Sequence, residues 1–305
     1  MNAAVHEISK KISENQFVTL SNGTRLHYVS AGEPGKPLML FVHGFPEFSY
    51  AWQAQLAEFG GDYFALAPDL RGFNLSDMPS EVTAYKPRHI MDDLRLLIAH
   101  FGYDNAIVVA HDWGGAIAWN MAIALPQLMQ KLVIINSPHP YLFARALAQD
   151  AKQQQASEYM NWLRAEGSET ALAKNDFVLM DGFFNGMGQR PAKWYSDEVK
   201  QRYHQCWARG LRGGVNYYRA SPLHPPTADH AGPRIDEMQA KDYLSKVPTL
   251  VVWGMSDMAL PTSLLDGLDE VVVDLRIERI DEASHWIIHE QPDTINRAIR
   301  GFLSE

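Results

Sequence analysis

The sequence predicts an α/β protein: a mostly parallel sheet covered by helices on both faces, interrupted by one long helical insertion. Three observations lead there. Short β-branched apolar runs alternate with helical patterns in two blocks, a strandless stretch rich in large aromatics separates the blocks, and 305 residues with 46% hydrophobic content suffice for such a core. In the first block the expected strands are Arg25–Val29, Leu38–Val42, Phe64–Ala67, Ala106–Ala110 and Leu132–Ile135, with a helical period over Arg88–Phe101. The last block repeats the pattern with Thr249–Val252 and Leu275–Ile280 and closes in a helix over Asp293–Leu303.

Between the blocks, residues 141–244 are expected to form a helical cap inserted into a core of residues 1–140 and 245–305. Most of the cap's aromatics are expected to serve packing, because rings bury the largest area per side chain. Pro and Gly at Ser221–Pro226 and Gly232–Pro233 suit a return linker.

Composition narrows the partners. Lys and Arg number 27 against 36 Asp and Glu, a formal charge of −9, and no basic cluster exceeds a pair, which argues against nucleic acid and anionic lipid. Residues 1–16 mix Glu7, Lys10, Lys11 and Glu14 with small and polar residues and lack the apolar run of an export signal. No apolar run elsewhere approaches membrane-spanning length, so a cytoplasmic protein is expected. The single cysteine, Cys206, is expected to be a buried, inert thiol. His224 and His230 sit on proline-interrupted chain without a third ligand at a recognisable spacing, so no metal is expected there.

The most informative segment is Ala106-Ile-Val-Val-Ala-His-Asp-Trp-Gly-Gly-Ala116, an apolar strand running into small-x-Asp-x-Gly and then a helical pattern. A sharp strand-to-helix turn strains the residue at its tip and requires small neighbours two positions away on each side, here Ala110 and Gly114. It also aims a helix N-terminus at the site, which favours negative charge. The plainer alternative is that Asp112 only caps the helix, since Asp is a favoured N-cap.

The order of two further segments favours the chemical reading. Thr249-Leu-Val-Val-Trp-Gly-Met-Ser-Asp257 is a strand ending in a loop aspartate, and Glu282-Ala-Ser-His-Trp286 places a histidine just after the last strand. Asp112, Asp257 and His285 thus fall beyond C-terminal strand ends, where open α/β sheets bind ligands. Among 12 histidines, His285 is singled out by position, while His100, His204 and His289 are expected to be surface or packing residues. A fourth segment, Leu38-Met-Leu-Phe-Val-His-Gly-Phe-Pro46, supplies the loop whose Phe45 amide, together with that of Trp113, would form an oxyanion hole. His43 is expected to make structural hydrogen bonds.

The runs His43-Gly-Phe-Pro-Glu-Phe-Ser-Tyr-Ala-Trp52, Pro68-Asp-Leu-Arg-Gly-Phe-Asn-Leu-Ser-Asp77, His111-Asp-Trp-Gly-Gly115 and Ser284-His-Trp286 resemble the epoxide hydrolases of the α/β-hydrolase fold, over essentially the whole chain. The core motifs are shared with haloalkane and haloacetate dehalogenases, which also use an aspartate nucleophile. Attack by a carboxylate on an acyl group gives an anhydride, whereas attack on saturated carbon gives an ester that water can cleave, so ester and amide substrates are disfavoured.

Opening an epoxide releases an alkoxide that needs a proton; expelling a halide does not. The family resemblance implies two cap tyrosines as donors. Val215-Asn-Tyr-Tyr-Arg-Ala220 resembles the family's Asn-aromatic-Tyr-Arg segment and points to Tyr218, and Ser157-Glu-Tyr-Met-Asn-Trp162 resembles the earlier one and points to Tyr159. The alternative is a dehalogenase with the Trp113 indole binding halide. It lacks the second N–H donor that an Asn would give where Phe45 stands, and the haloacid version lacks arginines beside the nucleophile. Asn74 departs from the family pattern, standing where glycine is common.

The expected activity is hydrolysis of an epoxide to a vicinal diol through an ester on Asp112, cleaved by water that His285, oriented by Asp257, activates. Trp113, Met180, Phe183, Phe184 and Trp207 are expected to line an apolar pocket. No cofactor and no metal are implied. The expected partner is a small apolar epoxide, with neither nucleic acid nor membrane, and homodimer formation is left open.

Overall fold

The computed structural model describes residues 12–186 and 192–304. Glu7, Lys10 and Lys11 of the polar N-terminal stretch lie outside the described residues. Eight strands form one sheet: β1 Ile12–Thr19, β2 Arg25–Ala31, β3 Leu38–Val42, β4 Phe64–Pro68, β5 Ala106–His111, β6 Met129–Ile135, β7 Thr249–Gly254 and β8 Leu275–Ile280, in the order β1-β2-β4-β3-β5-β6-β7-β8. The pairs β1–β2 and β2–β4 are antiparallel and the rest parallel.

The helices used below are α1 Gln53–Phe59, α2 Pro87–His100, α3 Asp112–Ala124, α4 Pro140–Gln149, α5 Ala151–Ala156, α6 Glu158–Arg164, α7 Ser168–Gly186, α8 Asp197–Trp207, α9 Arg212–Ala220, α10 Ile287–Glu290 and α11 Pro292–Leu303. Helices α4 to α9 all fall between β6 and β7, a stretch whose described residues contribute no strand to the sheet.

Because side chains alternate across a strand, each central strand serves two cores. Leu40 and Val42 of β3, Val108 of β5 and Ile134 of β6 face one cluster, which continues through α2, α3 and the inserted helices. Met39 and Phe41 of β3, Val109 of β5 and Ile135 of β6 face the other, built with Leu56 and Phe59 of α1 and with Ile295, Ile299 and Phe302 of α11. The central strands are therefore apolar almost throughout, as a sheet covered on both faces requires.

Register brings the functional ends into line. Val42 pairs with Ala110, His111 with Ile135, Ile135 with Val252 and Gly254 with Ile280. The loops carrying Phe45, Asp112, Asp257 and His285 consequently leave the sheet along one edge. Helix α7 is broken in its middle, where Asn175, Asp176 and Phe177 adopt φ of 51, 53 and 61°.

Candidate active site

Asp112 stands at the tip of the turn from β5 into α3 with φ of 49°, a left-handed backbone that costs an L-residue strain. Its neighbours make the turn feasible. A Cβ on Gly114 would come within 2.2 Å of the Val42 carbonyl oxygen, and one on Gly44 within 2.3 Å of Asp112 Oδ1. The helix cap is His111, and Asp112 makes no capping hydrogen bond, so the plainer reading of Asp112 as an N-cap does not describe this turn.

The carboxylate of Asp112 meets two groups. Its Oδ1 accepts the Phe45 N–H at 2.7 Å, and its Oδ2 lies 3.6 Å from His285 Nε2. The Trp113 amide belongs to the first turn of α3, where N–H groups lack intrahelical partners. Burial by itself would raise the Asp112 pKa, but the imidazole of His285, the nearby His111 ring and the Phe45 amide together hold it below its ordinary value.

His285 is held from its other side. Its Nδ1 donates to Asp257 Oδ2 at 2.7 Å. Asp257 Oδ1 accepts the amides of Ala259 and Leu260, both at 2.9 Å, and Oδ2 also accepts Asn136 Nδ2 at 2.6 Å. The carboxylate thus has all its acceptor positions filled and cannot rotate. Asn136 is itself oriented, because its Oδ1 accepts the Gly254 N–H at 2.9 Å. Burial would lower the His285 pKa, yet the charges and hydrogen bonds of Asp257 and Asp112 raise it well above the usual imidazole range.

Beneath this triad runs a second buried network that the sequence reading did not find. Glu47, fully buried on the loop after β3, accepts Tyr203 Oη of α8 at 3.0 Å and His289 Nε2 of α10 at 2.5 Å, while its other oxygen lies 3.2 Å from His111 Nδ1. His111 Nε2 in turn bonds the His285 carbonyl at 2.9 Å. One carboxylate therefore ties together the loop after β3, the residue before Asp112, the segment after His285 and an inserted helix. His289 is more than a packing residue, although it does stack on Trp194 at 4.1 Å.

His43 makes the structural bonds expected of it: Nε2 accepts the Leu70 N–H at 3.0 Å, so Nδ1 carries the proton donated to the Gly44 carbonyl. Asn74 has φ of 47°, which explains why glycine suits that position, and its side chain uses the place to donate to buried Asp69 at 2.7 Å. Cys206 is buried, and burial pushes its thiol pKa up.

A cavity of about 580 Å³ opens above Asp112. Asp112, Trp113, Tyr159 and Tyr218 all line it. The ring of Tyr218 packs edge-on against Trp113 at 5.0 Å and Phe45 at 5.4 Å, and stands 6.2 Å from the ring of Tyr159. The two hydroxyls interact with each other, and burial beside Asp112 drives both phenol pKa values up, which keeps them protonated. The preceding Tyr217 is different: its hydroxyl donates to the Arg71 carbonyl at 3.0 Å, away from the cavity. Arg164 fixes the end of α9 through the carbonyls of Tyr218 and Ser221, at 2.5 and 2.7 Å.

The expected pocket residues divide. Trp113 lines the cavity, whereas Phe183 is outside its lining and packs edge-on against Phe45 at 5.8 Å. Met180, Phe184 and Trp207 do not line it. Phe184 is enclosed by Trp194, Tyr195, Tyr203, Trp207 and Trp286, and the Trp207 indole donates to the Pro46 carbonyl at 2.8 Å. These residues are the packed seam between inserted helices and core. The composition of α7 and α8 could not separate seam from pocket, since both are apolar and aromatic.

Fold and site together define a class: an α/β protein that sets a carboxylate, an imidazole and a second carboxylate in line beyond the sheet's strand ends, beside residues of the inserted helices. The alpha/beta hydrolase fold family matches residues 37–292. An AB hydrolase superfamily protein, YfhM of Bacillus subtilis, is 35% identical over 94% of this chain and 97% of its own length. Epoxide hydrolase 4 of Homo sapiens is 33% identical over 93% of this chain and 77% of that protein. Among solved structures, a point mutant of an epoxide hydrolase from Bacillus megaterium, complexed with its product (R)-3-[1]naphthyloxy-propane-1,2-diol, superposes with a TM-score of 0.83 at 33% identity, covering 95% of this chain and all of the other. The chain belongs to the alpha/beta hydrolase fold family and, within it, to the epoxide hydrolases. Among the described residues no helix is long and apolar enough to cross a membrane.

Proposed function

We propose that the protein hydrolyses an epoxide to a vicinal diol through an ester on Asp112, with residues 141–244 acting as a cap that supplies the acids. The observation carrying this reading is the shared cavity: two protonated phenols, Tyr159 and Tyr218, line the same space as the ionised carboxylate of Asp112. Two of the relatives named above support it, the human protein and the Bacillus megaterium enzyme, both of which are called epoxide hydrolases.

In the first step Asp112 Oδ2 attacks a ring carbon while Oδ1 stays on the Phe45 amide. The carbon–oxygen bond of the ring breaks, and the released oxygen takes a proton from Tyr159 or Tyr218. In the second step His285 removes a proton from water as it adds to the Asp112 carboxyl carbon. The tetrahedral oxyanion forms on Oδ1, where the Phe45 and Trp113 amides serve it, each such donor being worth about 3 kcal/mol. Collapse expels the alkoxide, which takes the carboxyl proton to complete the diol, and leaves the Asp112 carboxylate beside protonated His285.

Electrostatics orders the steps. While Asp112 is ionised, two carboxylates favour protonated His285; esterification removes one of those charges. The imidazolium then passes its proton to the tyrosinate left by ring opening and is a free base at the moment it is needed. Halide displacement would use the Trp113 indole, but the Tyr218 side chain packs against that indole.

His285→Gln tests the reading. Mixed with styrene oxide, the variant should accumulate protein heavier by one epoxide, the added mass lying on the peptide with Asp112. Mass on another peptide, or an Asp112→Ala protein that still forms diol, would overturn it. Release of bromide from 1-bromobutane without diol formation from epoxides would favour the halide reading.

A further inference from the structure

The cavity beside Asp112 extends along one face of α3. Along α3 it is lined by Asp112, Trp113, Ala116, Ile117 and Asn120, the residues of one helical face. The eight helical steps from Asp112 to Asn120 span about 12 Å, so the lining runs that far from the carboxylate. The opposite wall is the end of α9 and the return linker, including Leu223, Pro233 and Met238. Exposure marks the direction of entry. Ile117, Tyr218 and Pro233 are buried, whereas His230, Arg234 and Glu237, which also line the cavity, are exposed. Arg234 and Glu237 pair with each other at this rim.

The other side of Asp112 is closed. Phe45, Phe183, Tyr159 and Tyr218 contact one another edge-on there, with ring centroids 5.4 to 6.5 Å apart. Beyond Tyr159 and Phe183 lies a separate depression of about 400 Å³, lined by Leu179 and Met258, which does not include Asp112.

From this we infer that the preferred substrates are terminal epoxides bearing one long, mostly apolar arm, whose far end reaches the rim at Arg234 and Glu237. The oxirane sits at the closed end and the arm lies along α3. A ring in the middle of a chain would need a second arm where the aromatic wall stands. The inference rests on the epoxide hydrolase reading and deepens it.

The test compares 1,2-epoxybutane, 1,2-epoxyoctane, 1,2-epoxydodecane and the internal isomer 6,7-epoxydodecane on the full chain. kcat/KM should rise along the terminal series by up to about fourfold per added methylene, the limit set by burial of apolar surface. The internal isomer should be slower than 1,2-epoxydodecane by about tenfold or more, since one methylene-rich arm loses its place. Asn120→Trp, which shortens the cavity, should cut the ratio of dodecane to butane epoxide, a quantity that does not depend on how much of the variant folds. A flat or falling terminal series, an internal isomer as fast as the terminal one, or an unchanged ratio in Asn120→Trp would overturn the inference while leaving epoxide hydrolysis standing. Failure of every epoxide to react would overturn the underlying reading instead.

Discussion

Replacing Asp257 with Asn should stop the reaction halfway, and the hydrogen bonds say why. The four donors on Asp257 are the amides of Ala259 and Leu260 on Oδ1, and His285 Nδ1 with Asn136 Nδ2 on Oδ2. An asparagine can keep its oxygen toward only one pair. Facing the two main-chain amides, it turns its own NH₂ toward His285. Asn136 cannot compensate by flipping, because its oxygen is held by the Gly254 N–H. His285 must then accept at Nδ1 and carry its proton on Nε2, facing Asp112, where it can no longer take a proton from water. A wrong tautomer of this kind lowers turnover by about 10⁴ in a serine protease triad, and ester hydrolysis here should slow by about 10³ to 10⁴. Formation of the ester, which needs Asp112 and the tyrosines, should change by less than about tenfold, a difference below about 1.4 kcal/mol. Rapid quenching followed by intact mass measurement separates the two rates. Equal slowing of both, or hydrolysis retained within tenfold of the parent, would refute the reasoning.

Tyr218→Phe or Tyr159→Phe should each slow ester formation without slowing ester hydrolysis, and the double variant should lose most of the roughly 10²- to 10⁴-fold that a positioned acid contributes; rapid-quench traces with styrene oxide read both steps. Stability should depend on pH through the triad. His285 has a folded pKa raised above 6.5, so its contribution is complete below 6.5 and fades as pH rises through the folded value. Asp112 is lowered from 3.8, so its contribution is present above 3.8 and fades as pH falls through its folded value. Urea unfolding should therefore show the excess stability of the parent over His285→Gln shrinking as pH is raised from neutral. Glu47→Gln leaves the His289 and His111 side chains without their buried carboxylate and should destabilise by about 3 to 5 kcal/mol, measured by the same unfolding.

The sheet was readable because its central strands are buried on both faces, and runs such as Leu38–Val42 are apolar at every position. Strand β1 was not, since Ile-Ser-Glu-Asn-Gln-Phe-Val-Thr at an exposed edge has mostly exposed residues and no period-2 signal. Asp112, Asp257 and His285 stood out because each follows a strand end, a position that topology makes meaningful. Asn136 follows a strand end too, yet an asparagine there looks like an ordinary turn residue; only the geometry shows its amide on Asp257. Glu47 carries no local signal of its role within the run of residues 43–52, because its partners Tyr203 and His289 lie far along the chain. The cavity wall was hardest. Leu223, Pro233 and Met238 sit on irregular chain whose path no local pattern encodes, whereas Phe184 and Trp207, conspicuous in sequence, pack into the seam.

The central claim is that the oxygen added to the substrate comes first from Asp112. A single turnover in oxygen-18 water, with enzyme in excess over styrene oxide, measures this directly. The expected result is an unlabelled diol and one oxygen-18 in the peptide containing Asp112, because water attacks the carboxyl carbon and leaves its oxygen there. A labelled diol with an unlabelled Asp112 would mean that water attacks the epoxide itself, and would contradict the covalent mechanism.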